Sequence, residues 1–141
     1  MNILVIDAQG GGIGKQLVTA LKRDYPAAEV TAVGTNSAAT AAMLKAGADH
    51  AATGENAVIV GARKADIICG AVGIVIADSM YGEITPKMAE AVAQCGGKRI
   101  LIPFNHCDSI IAGVSGLSVG SLIQSALDEI GRLMRENGGD S

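Results

Sequence analysis

The first seventeen residues constrain this chain more than any other stretch. Ile3, Leu4, Val5 and Ile6 form an apolar run that passes through Asp7, Ala8 and Gln9 into Gly10, Gly11, Gly12, Ile13, Gly14 and Lys15. A short apolar run followed by glycines and then a helical pattern reads as a buried strand, a tight turn and a helix start. Glycines at such a turn permit positive φ and let a ligand come close to the main chain, while the first helical amides point outward as donors for an anion. The opening therefore predicts a ligand cradle, with a phosphate-bearing ligand as the first expectation.

The rest of the chain continues the same alternation. Ile13, Leu17 and Leu21, with Val18 beside them, make one apolar stripe on a helix reaching about Arg23, and Pro26 ends it. Residues 30–33 read as a second strand, and Gly34, Thr35, Asn36 and Ser37 as a loop able to cap a helix over 38–46 that stops at Gly47. A loop through Ala52 follows, with His50 as a surface residue in it. Thr53 is the expected N-cap of a helix over 55–64, although residues 57–60 alone are compatible with a strand.

Residues 66–69 predict a third strand, separated by Gly70 and Gly73 from a second apolar run at 74–77. Thr85 and Pro86 cap and start a helix on which Met88, Val92 and Cys95 recur at helical spacing, and Gly96 and Gly97 end it. Residues 100–102 are a further strand closing at Pro103, and a loop runs over 104–109. Gly113 and Gly116 leave 110–118 without a regular element. A last amphipathic helix runs over about 119–136, with Leu122, Ile123, Ala126, Ile130 and Leu133 on one face. One domain over 1–137 and a flexible tail at 138–141 are expected.

Strands alternating with helices predict an α/β fold, three-layered and Rossmann-like, with a mostly parallel sheet covered on both faces. In such a sheet a ligand binds outside the carboxyl ends of the strands, where the strand order reverses. Residues 7–15, 34–37, 70–73 and 105–108 should then lie near one edge.

Composition excludes several classes. The 141 residues suffice for one core but not for a second catalytic domain. A hydrophobic fraction of 49% and a mean hydropathy of +0.36 are high, yet no apolar run approaches the length of a membrane span. With one Phe, two Tyr and no Trp, the helix faces are smooth and small, which predicts a homo-oligomer, a dimer first, burying one such face. A net charge of −3 without a basic cluster argues against a nucleic-acid partner. The chain opens directly in strand residues, without the pattern of a secretory signal, and a cytoplasmic protein is expected. Cys69, Cys95 and Cys107 are odd in number and widely spaced, so reduced thiols are expected rather than disulfides or a metal site.

Three phosphate-loop patterns can be laid on residues 8–16. The dinucleotide fingerprint G-x-G-x-x-G finds Gly10 and Gly12 but meets Lys15 at its third glycine. The Walker pattern finds Gly14 and Lys15 but has Gln9 at its first glycine and Gln16 in place of the magnesium-binding hydroxyl. The best match is a G-x-x-x-G-x-G turn ending in Gly12, Ile13 and Gly14, with Ala8 at the first position. That turn resembles the short-chain dehydrogenases over the first strand, turn and helix. Their Tyr-x-x-x-Lys is absent, since Tyr81 is followed four residues on by Thr85 and Tyr25 by Glu29.

The expected cofactor-binding set is Gln9, Gly10, Gly11, Gly12, Ile13 and Gly14, joined by Thr35, Asn36 and Ser37, for NAD(P) or another nucleotide. After the second strand, where an acid would hold an NAD ribose, the chain has Gly34, Thr35 and Asn36, whose hydroxyl and amide can serve a phosphorylated ribose or another nucleotide, with no arginine beside them. Asp7 repels a bound phosphate unless a cation or sugar hydroxyl intervenes, or else caps the loop's own amides. Asn105, His106, Cys107 and Asp108 bring a base, a thiol and an acid past a strand end, and with Asp7 are the candidates for catalysis. Loop hydrogen bonding and a buried small thiol is the simpler reading, because neighbours in extended chain point to opposite sides. Asp78, Ser79 and Glu83 can approach a substrate or metal from the same edge, with helix capping and solvation as the simpler reading. Lys15 can reach a phosphate, or be a solvated lysine on a helix.

Taken together, residues 3–14, Gly34-Thr35-Asn36-Ser37, Thr53-Gly54-Glu55-Asn56, Gly82-Glu83-Ile84-Thr85-Pro86 and Leu101-Ile102-Pro103-Phe104-Asn105 resemble a small bacterial family of about this length with no assigned function. The resemblance implies a bacterial cytosolic protein and no catalytic residues. Three functions stay open: a nucleotide-binding sensor or accessory protein, a small enzyme using the crevice, and an oligomeric scaffold without ligand.

Overall fold

A computed structural model describes residues 1–103 and 109–138. The strands are β1 (Asn2–Asp7), β2 (Glu29–Gly34), β3 (His50–Thr53), β4 (Ile67–Ala71) and β5 (Lys98–Ile102). The helices are α1 (Gly12–Asp24), α2 (Ser37–Lys45), α3 (Glu55–Lys64), α4 (Pro86–Ala93) and α5 (Val119–Gly138). All strand pairs are parallel, in the order β3-β2-β1-β4-β5, as the alternation predicts for a Rossmann-like α/β fold.

The period-2 alternation of β1 divides the core between the two faces of the sheet. Ile3 and Val5 pack with Leu17, Val18 and Leu21 of α1 and Ile123, Leu127 and Ile130 of α5. Leu4 and Ile6 pack with Val58 and Ala62 of α3 and Met88 and Val92 of α4. Ile3, Leu4 and Ile6 are each at most 2% exposed, and fully burying such a side chain contributes about 1.5–3 kcal/mol. Shifting β1 by one residue would exchange the two sets, so its register against β2 and β4 is fixed by packing on both sides.

The sequence reading needs three corrections. Residues 50–53, read as loop, form β3, which pairs with β2 from Thr31↔His50 to Gly34↔Thr53. Its sequence His-Ala-Ala-Thr has no alternation to read; the open edge of β2 templates it. His50 is therefore a strand residue, though still exposed. Thr53 does not cap α3: the N-cap is Gly54, without a side-chain bond, and the Thr53 hydroxyl instead lies 2.7 Å from that of Thr40. β4 is not broken at Gly70 but runs to Ala71, and the run expected at 74–77 begins as a 3-10 turn, Val72–Val75. The helix expected over 55–64 is present, with residues 57–60 helical within it. At Thr85 the expected cap is present: its hydroxyl accepts from the Met88 amide at 3.2 Å, with Pro86 in the first turn.

Candidate functional site

The strand order reverses between β1 and β4, and a cleft of about 300 Å³ opens there at the carboxyl ends of the strands. Gln9, Gly10, Gly12, Ala71, Met80 and Val119 are among its lining residues.

The glycine loop is held from inside by Asp7. Gly11, the N-cap of α1, has φ +76° and no side chain with which to cap. Asp7, 5% exposed at the end of β1, does that work: its Oδ2 accepts from the Gly14 amide at 2.6 Å and its Oδ1 from the Ala8 amide at 2.8 Å. This is the amide-capping alternative read from the sequence. The Gly14 amide, third in the helix, is consequently committed to the protein's own carboxylate. A ligand phosphate would have to use the outer part of the loop.

The four glycines separate into two kinds. A Cβ at Gly11 would lie 2.9 Å from the Ala39 Cα, and one at Gly14 would lie 2.9 Å from the Asp7 Cβ, so these two belong to the fold. A Cβ at Gly10 or Gly12 would meet nothing within 4 Å, and neither residue has positive φ. At those two positions neither packing nor backbone conformation requires glycine, and the bare main chain lines the cleft.

Beside the loop, Glu83 draws two strand ends together. Its Oε1 accepts from the Thr35 hydroxyl at 2.6 Å, the Asn36 side-chain amide at 2.7 Å and the Gln9 amide at 2.9 Å. Asn36 is fixed in turn, donating also to the Gln9 carbonyl at 2.9 Å and accepting the Ala39 amide at 2.9 Å as the N-cap of α2. Burial opposes ionisation of Glu83, but the bonds from Thr35, the Gln9 amide and Asn36 outweigh it and hold the carboxyl below its ordinary value. Glu83 is thus a carboxylate at neutral pH.

The segment that delivers Glu83 is conformationally demanding. Asp78, Met80 and Tyr81 have φ of 65°, 56° and 57°, followed by Gly82 at 83°. A non-glycine residue in that region costs about 1–3 kcal/mol, and such strain persists only where surroundings enforce it. Here Met80 and Ile84 are buried, the Ser79 hydroxyl donates to the Gly73 carbonyl, and the Thr85 hydroxyl donates to Glu55 Oε2 at 2.6 Å. Tyr81 remains 97% exposed at the apex.

The structure therefore gathers Gln9, the glycines, Thr35, Asn36 and Glu83 at one edge, while Ser37 opens α2 as an exposed residue. Thr35 and Asn36 reach Glu83 directly. The sequence brings Glu83 to this edge without its partners, because bonds across 47 and 48 positions leave no local spacing. Asp78 and Ser79 bond within their own turn through the Asp78 amide to the Ile84 carbonyl and the Ser79 amide to the Ile76 carbonyl. Lys15 is exposed and lines a separate groove between α1 and α5 with Thr19 and Gln124. His50 pairs with Glu29 at 2.8 Å at the opposite, amino-terminal edge of the sheet. His106, Cys107 and Asp108, with Asn105, lie outside the described residues. Cys69 is fully buried, and burial pushes its thiol up to about 12, so it is no nucleophile. Among the described residues no group of three or more His, Cys, Asp or Glu is arranged to hold a metal, and no helix is long and apolar enough to cross a membrane.

A family model described as a domain of unknown function, DUF3842, matches residues 2–135. No curated protein matches the chain. Among solved structures, AibC is similar over 96% of this chain and 42% of its own, at 22% identity and a TM-score of 0.52. A dodecameric FMN-dependent Ubix-like decarboxylase from Escherichia coli O157:H7 matches at 20% identity and a TM-score of 0.48, over 92% of this chain and 76% of that one. A nucleoside-diphosphate-sugar epimerase from Pseudomonas aeruginosa matches at 15% identity and a TM-score of 0.46, over 96% of this chain and 49% of that one. The chain thus spans less than half the length of AibC and of the epimerase. The likeness to AibC is one of fold.

Proposed function

We propose a nucleotide-binding role for this chain, which belongs to the DUF3842 family, a family of unknown function. The observation that carries the reading is the cleft at the point of strand-order reversal, lined by main chain at Gly10 and Gly12 where the fold itself does not require glycine. The outer loop offers main-chain amides at Gly10, Gly12 and Ile13 to a phosphate, the Gln9 amide being bonded to Glu83 and that of Gly11 to the Ala8 carbonyl. Asp7 is compensated by the Ala8 and Gly14 amides, which reduces its repulsion of such a group. Thr35 and Asn36 serve the site through Glu83. NAD(P) and adenine nucleotides are the first candidates, and the role is that of a cytosolic sensor or accessory protein.

Thermal-shift and calorimetric titration with NAD⁺, NADP⁺, ATP, ADP and S-adenosylmethionine tests this. A saturable response that Gly12→Val abolishes, with the fold intact by circular dichroism, is the expected result. No response to any of these ligands would overturn the reading.

We propose too that the protein is a homo-oligomer, a dimer first. Leu44 and Leu117 are 52% exposed and Ile110 92%, in a chain of high mean hydropathy. Analytical ultracentrifugation at micromolar concentration checks it, and a strict monomer would refute it.

A further inference from the structure

Resting on the nucleotide-binding reading, we infer that Glu83 selects a nucleotide with a free ribose diol and rejects one esterified by phosphate at the 2′-oxygen. Sequence order puts no acid directly after β2, where residues 34–36 are Gly, Thr and Asn. The fold supplies one from elsewhere. Thr35 and Asn36, the two residues that follow β2, both donate to the Glu83 carboxylate and hold it against the end of that strand.

Two observations place this residue beside the cleft. The third donor to Oε1 is the amide of Gln9, a cleft-lining residue, and the Glu83 amide donates to the carbonyl of Met80, another, at 3.1 Å. The three donors also fix its chemistry. All three land on Oε1, and Oε2 takes part in none of them. A carboxylate so held can only accept, and a vicinal diol offers it two O–H donors. A 2′-phosphate offers none when ionised and brings like charge instead. Among the described residues the groups bonded to the Glu83 carboxylate are an amide, a hydroxyl and a carboxamide, none of them a cation that would welcome that phosphate.

The strained turn before Glu83 fits the same reading. Left-handed φ at Asp78, Met80 and Tyr81 is what carries the chain back from the 3-10 turn to the strand ends. The buried Met80 and Ile84 on either side hold Glu83 there before any ligand arrives.

The test uses the intact wild-type protein and Glu83→Gln, with calorimetric titration of NAD⁺, NADP⁺, ADP and 2′-deoxy-ADP. For wild type, NAD⁺ should bind about tenfold or more tightly than NADP⁺, and ADP than 2′-deoxy-ADP, as expected for hydrogen bonds to a charged acceptor. In Glu83→Gln both ratios should fall to within about threefold, chiefly through weaker binding of the diol ligands. Wild type binding all four probes with equal affinity, or NADP⁺ more tightly, would overturn the inference and leave nucleotide binding standing. Binding of none of the four by wild type would overturn the inference, and with no response to ATP or S-adenosylmethionine either it would overturn nucleotide binding as well. Tighter binding of every phosphate-bearing probe by Glu83→Gln would show instead that Glu83 occupies the ligand's place, which also overturns it. The wild-type ratios need no variant, so the inference stays testable if Glu83→Gln fails to fold.

Discussion

The Thr35 hydroxyl donates to the Glu83 carboxylate at 2.6 Å, joining the end of β2 to a turn 48 residues away. Because Asn36 and the Gln9 amide donate to the same oxygen, this one carboxylate ties β1, β2 and the approach to α4 into a single cluster. The cluster's chemistry and that of the glycine loop beside it give three predictions, and the buried thiol of β4 gives a fourth.

The first concerns pH. Glu83 has its folded-state ionisation lowered, so its contribution to stability is fully present above the ordinary value of 4.5 and is lost as pH falls through the lower folded value. Glu83→Gln should melt below wild type at pH 7, and the gap should narrow as pH falls below 4.5. Asp49, held low by the Val30 amide and Lys22, adds its own acid sensitivity to both proteins and drops out of the difference. Thermal melts across this range decide it: a gap independent of pH would show that the ionised form of Glu83 has no special part.

The two kinds of glycine should behave differently on substitution. Gly14→Ala places a methyl against Met43 and Asp7 and should cost about 1–3 kcal/mol. Gly12→Ala meets open space and should stay within about 0.5 kcal/mol of wild type. Urea denaturation of the pair measures both, and equal losses would contradict the division between fold glycines and cleft glycines.

Asp7 should prove structural before it proves chemical. Asp7→Ala removes the acceptor of the Gly14 amide and should destabilise by about 1–3 kcal/mol. Asp7→Asn keeps one acceptor oxygen and should lose less. If both variants keep wild-type stability, the Asp7 carboxylate does not cap α1.

Cys69 lies in β4 with no exposure, and burial raises its thiol to about 12. Iodoacetamide at about pH 8 should leave Cys69 unmodified in the native protein and label it after denaturation. Peptide mass mapping reads this out, and native labelling at Cys69 would show that β4 opens on the timescale of the reaction.

What the sequence determined by itself was whatever a residue's near neighbours enforce. The apolar run of β1, the stripe of Ile13, Leu17 and Leu21 on α1, and the Thr85-Pro86 start of α4 each have a local period or cap, and each stands where local rules put it. Parallel α/β architecture followed from their alternation, and with it the edge on which the glycine loop and residues 34–36 meet. Tertiary structure decided the remainder. β3 exists because β2 offers an unpaired edge to a His-Ala-Ala-Thr stretch with no period of its own. The sequence reads Gly14 as ligand-facing, yet its amide belongs to Asp7, because the fold sets Gly14 between Asp7 and Met43 of an adjacent helix. The acid absent after β2 is provided by Glu83, since three donors from two strand ends can converge on one oxygen only after the chain has folded.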